Sequence, residues 1–256
     1  MKRRDKYHPL DDAGEYLTGP ALYEEARRQM GGDRLMLAFS RGKDSIATWL
    51  ELRDYFEIIP YYCYMIPGGT SFERDSLDYY EQFFGTKIYR FLHPLFWQNL
   101  NSFHFQPPQR AATIIGCGVP DYDYAVLVDD LGAMLGIERP YVAFGYRADD
   151  SPRRRLLVLR EGPMGSTSYR YFWPIWDWNL ERVANRLKAA GVKLPIDYQV
   201  FGWTLTATDY QYAHAIRDHF PEDWERMKFW YPLIDAEMFR HEVVTRDARA
   251  AMEQTQ

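Results

Sequence analysis

The chain has 256 residues, 46% of them hydrophobic, enough for one large α/β core or for a core with an appendage. Its 31 basic and 36 acidic side chains leave a net charge of −5, which excludes a global basic field for non-specific nucleic-acid binding and leaves only local basic patches for such a partner. Two cysteines, Cys63 and Cys117, without CxxC or Cys/His spacing, exclude a disulfide scaffold and offer no ligand set for zinc or iron–sulfur.

Residues 1–30 read as a polar arm, punctuated by Pro9, Gly14, Gly19 and Pro20, and a helix over 21–30 that Gly31 and Gly32 end. The basic start is followed by no apolar stretch, and no run reaches the roughly 18 apolar residues that span a bilayer, so a soluble, cytoplasmic protein without membrane partners is expected. Leu35 to Phe39 is a continuous apolar run, predicting a strand buried on both faces, and a helical stripe of Ile46, Trp49, Leu50, Leu52 and Phe56 follows it. A second strand is expected over 57–65, with Pro60 placing its start near an edge or at the strand's entry, then a helix over 71–84 capped by Ser71, and a third strand over 87–91. Strand and helix alternate, which argues for a parallel sheet with right-handed crossovers. Residues 93–119, rich in Phe, Pro, Asn and Gln, read as irregular and too long for an ordinary connection. A helix over 121–135 and a fourth strand over 139–144 follow, then a helix over 180–190 capped by Asn179, and further helices over 207–220, 222–228 and 235–252.

Three stretches carry chemistry. Residues 40–45 read Ser-Arg-Gly-Lys-Asp-Ser between the first strand and its helix. Ser40, Gly42 and Ser45 are small enough for backbone N–H groups to close around an anion at the first helical turn, where unpaired amides and the positive dipole end favour one. Lys43 adds a cation and Asp44 a carboxylate able to face a metal, whereas GxxxxGK[ST] is not met. The plainer reading is a turn that caps an ordinary helix. The second stretch, 145–155, places Gly145, Arg147, Ser151, Arg153, Arg154 and Arg155 at the end of the fourth strand, where open α/β sheets bind ligands. Its arginines can clamp phosphate or sulfate while Asp149 and Asp150 hold them or bind magnesium; a solvated basic loop is the plainer alternative. The third, Pro174-Ile175-Trp176-Asp177-Trp178, reads as a packed aromatic turn.

Ser-x-Gly-Lys-Asp-Ser resembles the pyrophosphate loop (PP-loop) of the N-type ATP pyrophosphatases, and its Lys-Asp-Ser ending looks most like the ATP sulfurylase small subunit and the phosphoadenosine phosphosulfate (PAPS) reductase family. Gly145-x-Arg147-x-x-x-Ser151-x-x-Arg154 and the Pro174 to Trp178 segment are similar to that family's second and third motifs. Over roughly 34–230 the resemblance implies an adenine nucleotide alpha hydrolase-like (Rossmann-like) fold, a mostly parallel sheet flanked by helices. The PP-loop domain would occupy 31–178, with a C-terminal helical cap over 179–256 packed on it. It further implies ATP, or another adenine nucleotide, with magnesium, and cleavage between the α and β phosphates to adenylylate a small oxyanion such as sulfate, or a nucleotide. Ser40, Arg41, Gly42, Lys43, Asp44, Ser45, Gly145, Arg147, Ser151, Arg153 and Arg154 would bind the nucleotide and acceptor. Lys43, Asp44 and Arg147 would be catalytic, with Asp44 the metal ligand.

The sequence also departs from the family. No cysteine follows Cys117, so the thiol chemistry of sulfonucleotide reduction is not expected. Phe-Gly-Trp-Thr-Leu-Thr at 201–206 stands where many relatives carry Gly-Cys-x-x-Cys, so no iron–sulfur cluster is expected either. Two other readings are open: nucleotide or nucleic-acid modification, with the aromatic segment 91–105 stacking a base, or a non-catalytic nucleotide-binding module working as a partner subunit or homo-oligomer. Cys117, flanked by Gly116 and Gly118, is either an accessible reactive thiol or a small buried hydrophobe.

Overall fold

The structure, a computed structural model, describes residues 9–165, 170–202 and 210–253. The start of the expected arm (1–8), residues 203–206 of the segment lacking cysteines, and the start of the helix expected from 207 lie outside the described residues. In chain order the elements are α1 (Gly19–Met30), β1 (Arg34–Ala38), α2 (Lys43–Leu52), β2 (Glu57–Tyr64), α3 (Ser71–Phe84), β3 (Tyr89–Leu92), α4 (Pro94–Asn101), α5 (Ala111–Gly116), α6 (Tyr124–Leu135) and β4 (Val142–Ala143). They continue with α7 (Pro152–Glu161), β5 (Tyr171–Phe172), α8 (Leu180–Ala190), α9 (Ile196–Phe201), α10 (Tyr210–His219), α11 (Pro221–Trp230) and α12 (Ile234–Glu253).

The chain divides into two compact units. The first comprises Met1–Tyr62, Asp75–Phe91 and Tyr124–Thr204 and holds the sheet, whose described strands run in the order β3-β2-β1-β4-β5. The pairings of β1 with β2, β1 with β4, and β4 with β5 are parallel, as the alternation of strand and helix requires. Leu35, Met36 and Leu37 of β1 have no exposed surface, and Ile46, Ala47 and Leu50 of α2 are equally buried, so the central strand and the helix after it form the core. Residues 179–202, expected with the later helices, group with the sheet because α8 packs on α2. Asn179 caps α8 as expected, its Oδ1 accepting the Arg182 N–H at 2.8 Å, and Gly191 ends it in the left-handed conformation.

Pro60 does not mark an edge. It lies within β2, second in the sheet, opposite Leu37 of β1. The Phe39 N–H donates to the Tyr61 carbonyl at 2.9 Å, so Tyr61 faces β1 and the nitrogen of Pro60 faces the other way. The ladder to β1 therefore loses no donor.

The second unit comprises Cys63–Arg74, Leu92–Asp123 and Leu205–Gln256. The segment expected to be irregular contains α4 and α5, separated by a 3-10 turn at Pro108–Arg110. His93 caps α4 by accepting the Leu95 N–H at 3.0 Å, and Pro94 occupies the first helical position, where a missing N–H costs nothing. At the start of α3 the capping residue is Thr70 rather than Ser71. The Thr70 N–H and hydroxyl both donate to Glu73 Oε2, at 2.7 and 2.8 Å, and the Ser71 hydroxyl donates to Asp223 at 2.6 Å. Phe96, Tyr231, Met227 and Trp224 form the buried centre of this unit.

Candidate functional site

The sheet order places the site. From β1 the chain moves outward to β2 and β3, then returns to lay β4 and β5 on the other side of β1. Strand order therefore reverses between β1 and β4, and it is beyond the carboxyl ends of two such strands that open α/β sheets take their ligands. The loops leaving those ends are the two arginine-bearing, glycine-bearing segments singled out in the sequence.

The first loop is tightly folded. Arg41 adopts φ 60°, a left-handed backbone that a residue with a Cβ takes up only at a cost, and Gly42 is the N-cap of α2. A glycine N-cap has no side chain to close the helix, so α2 begins in a serine and glycine turn, as the plainer reading of this stretch also expects. Ser45 instead donates its hydroxyl to the Gly42 carbonyl at 2.9 Å, and its Oγ accepts from the Ser40 N–H at 3.3 Å. The Gly42 N–H reaches Ser40 Oγ at 3.4 Å, and the Lys43 N–H reaches the Tyr198 hydroxyl at 3.4 Å. Both contacts are long, and the acceptors are neutral oxygens that a phosphate oxygen would outcompete. The Arg41 guanidinium does not join this cradle. It is fully buried on the distant partner Asp197, 3.0 Å from Nη2 to Oδ2, with Ser76 Oγ at 3.1 Å and the Tyr62 ring centroid at 5.3 Å.

The second loop meets the first through charge and shape. Arg147, 3% exposed, donates Nε to Asp44 Oδ1 at 2.7 Å, and Lys43 Nζ lies 2.7 Å from Asp44 Oδ2. One carboxylate thus satisfies two cations from two loops. Asp150 bonds both Arg147 and Arg154, so it holds the arginines in place, and Asp149 lies 3.7 Å from Arg155. Arg147 Nη1 also donates to the Trp178 carbonyl at 3.4 Å, which brings the third motif to the same place. Gly145 makes the approach sterically available: a Cβ there would lie 2.7 Å from the Asp44 carbonyl carbon and 2.8 Å from the Ser45 nitrogen.

The arginine-rich segment is not all loop. Ser151 caps α7, its Oγ accepting the Arg154 N–H at 3.2 Å, so Arg153, Arg154 and Arg155 lie in the first turn of a helix. Arg154 lies over the Tyr146 ring at 4.6 Å. Arg153 is exposed, and the arginines that Asp150 bonds are Arg147 and Arg154. The structure therefore brings Ser40, Gly42, Lys43, Asp44, Ser45, Gly145, Arg147 and Arg154 together and leaves the side chains of Arg41 and Arg153 outside.

Asp197, Tyr198 and Tyr146 were not foreseen. The first two lie more than 150 positions from the loop they support, and only the Pro195 start of α9 hinted at an element there. Cys117, for which burial was one expectation, is exposed because α5 ends beside it; Cys63 is half-buried, and burial pushes its thiol up to about 12. In the aromatic segment read as able to stack a base, Phe96 is buried and Trp97 packs against Phe96 and Tyr122, whereas Phe103 is exposed.

Among the described residues no helix is long and apolar enough to cross a membrane. No protein-family model matches this chain, and no curated protein does.

Proposed function

We propose that the protein binds ATP in the 40–45 loop and cleaves it between the α and β phosphates, transferring the adenylyl group to an acceptor oxygen. One observation carries this reading. The two loops flanking the reversal of strand order meet through the Arg147–Asp44 pair, so that small residues, a helix N-terminus, Lys43 and a buried arginine converge on one point. The finer fold assignment, an adenine nucleotide alpha hydrolase-like sheet with a PP-loop, is part of the same proposal.

On this reading the amides of Gly42 and of the first turn of α2, with the Ser40 and Ser45 hydroxyls, hold the departing pyrophosphate, and Lys43 offsets its charge. Arg147 turns from Asp44 to the α phosphate, and Arg154 binds the acceptor, an oxyanion such as sulfate or a nucleotide. The acceptor oxygen bonds to the α phosphorus as the bond from that phosphorus to the bridging oxygen breaks, and pyrophosphate leaves with the electron pair.

Asp44 is the loop's one carboxylate, and among the described residues no group of three or more His, Cys, Asp or Glu side chains is placed to hold a metal. That donor set fits magnesium brought in on the phosphates, with Asp44 as its protein ligand. So bound, magnesium would supply neutralisation of the phosphate charge. The cytoplasm, which provides both ATP and magnesium, is where we place the reaction.

The test is ATP labelled at the α phosphate, incubated with the protein and magnesium, with and without sulfate and mixed nucleotides. AMP or an adenylylated acceptor is expected to appear with pyrophosphate, and Asp44→Ala is expected to lower the rate by about a hundredfold or more while the protein stays folded. Labelled ADP as product would sink the proposal. Tight ATP binding without turnover would favour a non-catalytic module.

A further inference from the structure

The loop's shape depends on an element far along the chain. Arg41 holds the left-handed turn between β1 and α2, and its side chain runs away from the cradle into a fully buried ion pair with Asp197 of α9. The next residue, Tyr198, takes the Lys43 N–H at 3.4 Å. Consecutive residues of α9 therefore grip the loop at two points, one through a side chain and one through the backbone.

A buried ion pair is a poor source of stability, because the desolvation of both charges offsets most of their attraction, and apolar residues of similar volume often replace such a pair without loss. What a bidentate pair does supply is direction: the guanidinium plane must face Asp197, Ser76 Oγ and the Tyr62 ring at once, and the backbone of Arg41 is held to match. We propose that Asp197 and Tyr198 are positioning residues, which hold Arg41 in the left-handed conformation and the Gly42–Lys43 amides in the arrangement that takes a phosphate. The inference rests on reading the loop as a phosphate cradle, but the shape of the ligand-free loop can be measured separately.

The experiment uses the full chain and the double variant Arg41→Met/Asp197→Leu, with three readouts: thermal unfolding, amide hydrogen exchange over 40–45 without nucleotide, and calorimetric binding of ATP with magnesium. The expected result is an unchanged or raised melting temperature, exchange over 40–45 faster by about tenfold, and ATP binding weaker by about tenfold, since the bound loop must then be re-formed against backbone strain. Exchange and affinity equal to those of the unsubstituted protein, at equal stability, would overturn the positioning role. If the double variant does not fold, Tyr198→Phe carries the test: Lys43 amide exchange should rise roughly two- to tenfold with stability kept, and no change would overturn the role. Faster loop exchange in a protein whose unsubstituted form binds no ATP would instead leave the positioning role standing and remove the cradle reading.

Discussion

At Gly145 there is no room for a methyl group, because the backbone of Asp44 and Ser45 already fills the space at under 3 Å. Gly145→Ala is expected to push the β4 loop away from α2 and cost about 1–3 kcal/mol, a shift that urea unfolding would detect. Stability equal to that of the unsubstituted protein would mean that the two loops do not approach as described. The residue types of the proposed site were legible in the sequence, since small residues, Lys43 and Arg147 suit a phosphate, and Asp44 a cation beside it, wherever they stand. The sequence could not show where Arg41 goes. Nothing in the local pattern separates an arginine bound for a ligand from one bound for Asp197, 156 positions later, and only a tertiary contact decides between them.

Helix α4 depends on an imidazole at its N-cap. His93 accepts the Leu95 N–H through Nδ1, and burial lowers its pKa from the ordinary 6.5 to about 4. Above pH 6.5 the ring is neutral in both folded and unfolded chains. Between pH 6.5 and 4 the unfolded chain takes up the proton and the folded one does not, so stability falls by about 3 kcal/mol in all. Urea unfolding at a series of pH values is expected to show this slope, and His93→Asn, which keeps a capping oxygen, is expected to flatten it; identical slopes in the two proteins would contradict the assignment. The helices of the 93–119 segment escaped the sequence reading because they are short, interrupted by Pro107 and Pro108, and carry no long apolar period. The signals for α7 are present, Ser151 before Pro152, but the run of arginines that follows suits a solvated loop equally well. β4 and β5, two residues each, are held by their pairing with longer or neighbouring strands more than by propensity.

Each unit is assembled from three separate stretches of chain, so no single cut releases either one. A protein ended at residue 204 would keep 63–74 and 92–123 but lose α10, α11 and α12, leaving Phe96 without Trp230 and Tyr231, and Ser71 without Asp223. Limited proteolysis is expected to cut it within 92–123; full protection of that stretch would show that it does not need the later helices. The alternation of strands and helices gave the sheet away, whereas this interleaving has no local signature. The whole molecule is also acidic, at −5, yet on the reading proposed here it takes up a polyanion. Asp44 makes that workable, because its carboxylate already bridges Lys43 and Arg147. Arrival of a phosphate is then an exchange of one anion for another: as the two cations transfer to the ligand, a carboxylate is set free beside it. Freed in that position, Asp44 would repel the bare ligand and welcome a divalent ion, so on the proposed reading nucleotide and magnesium would be thermodynamically linked, each raising the affinity for the other by the same factor.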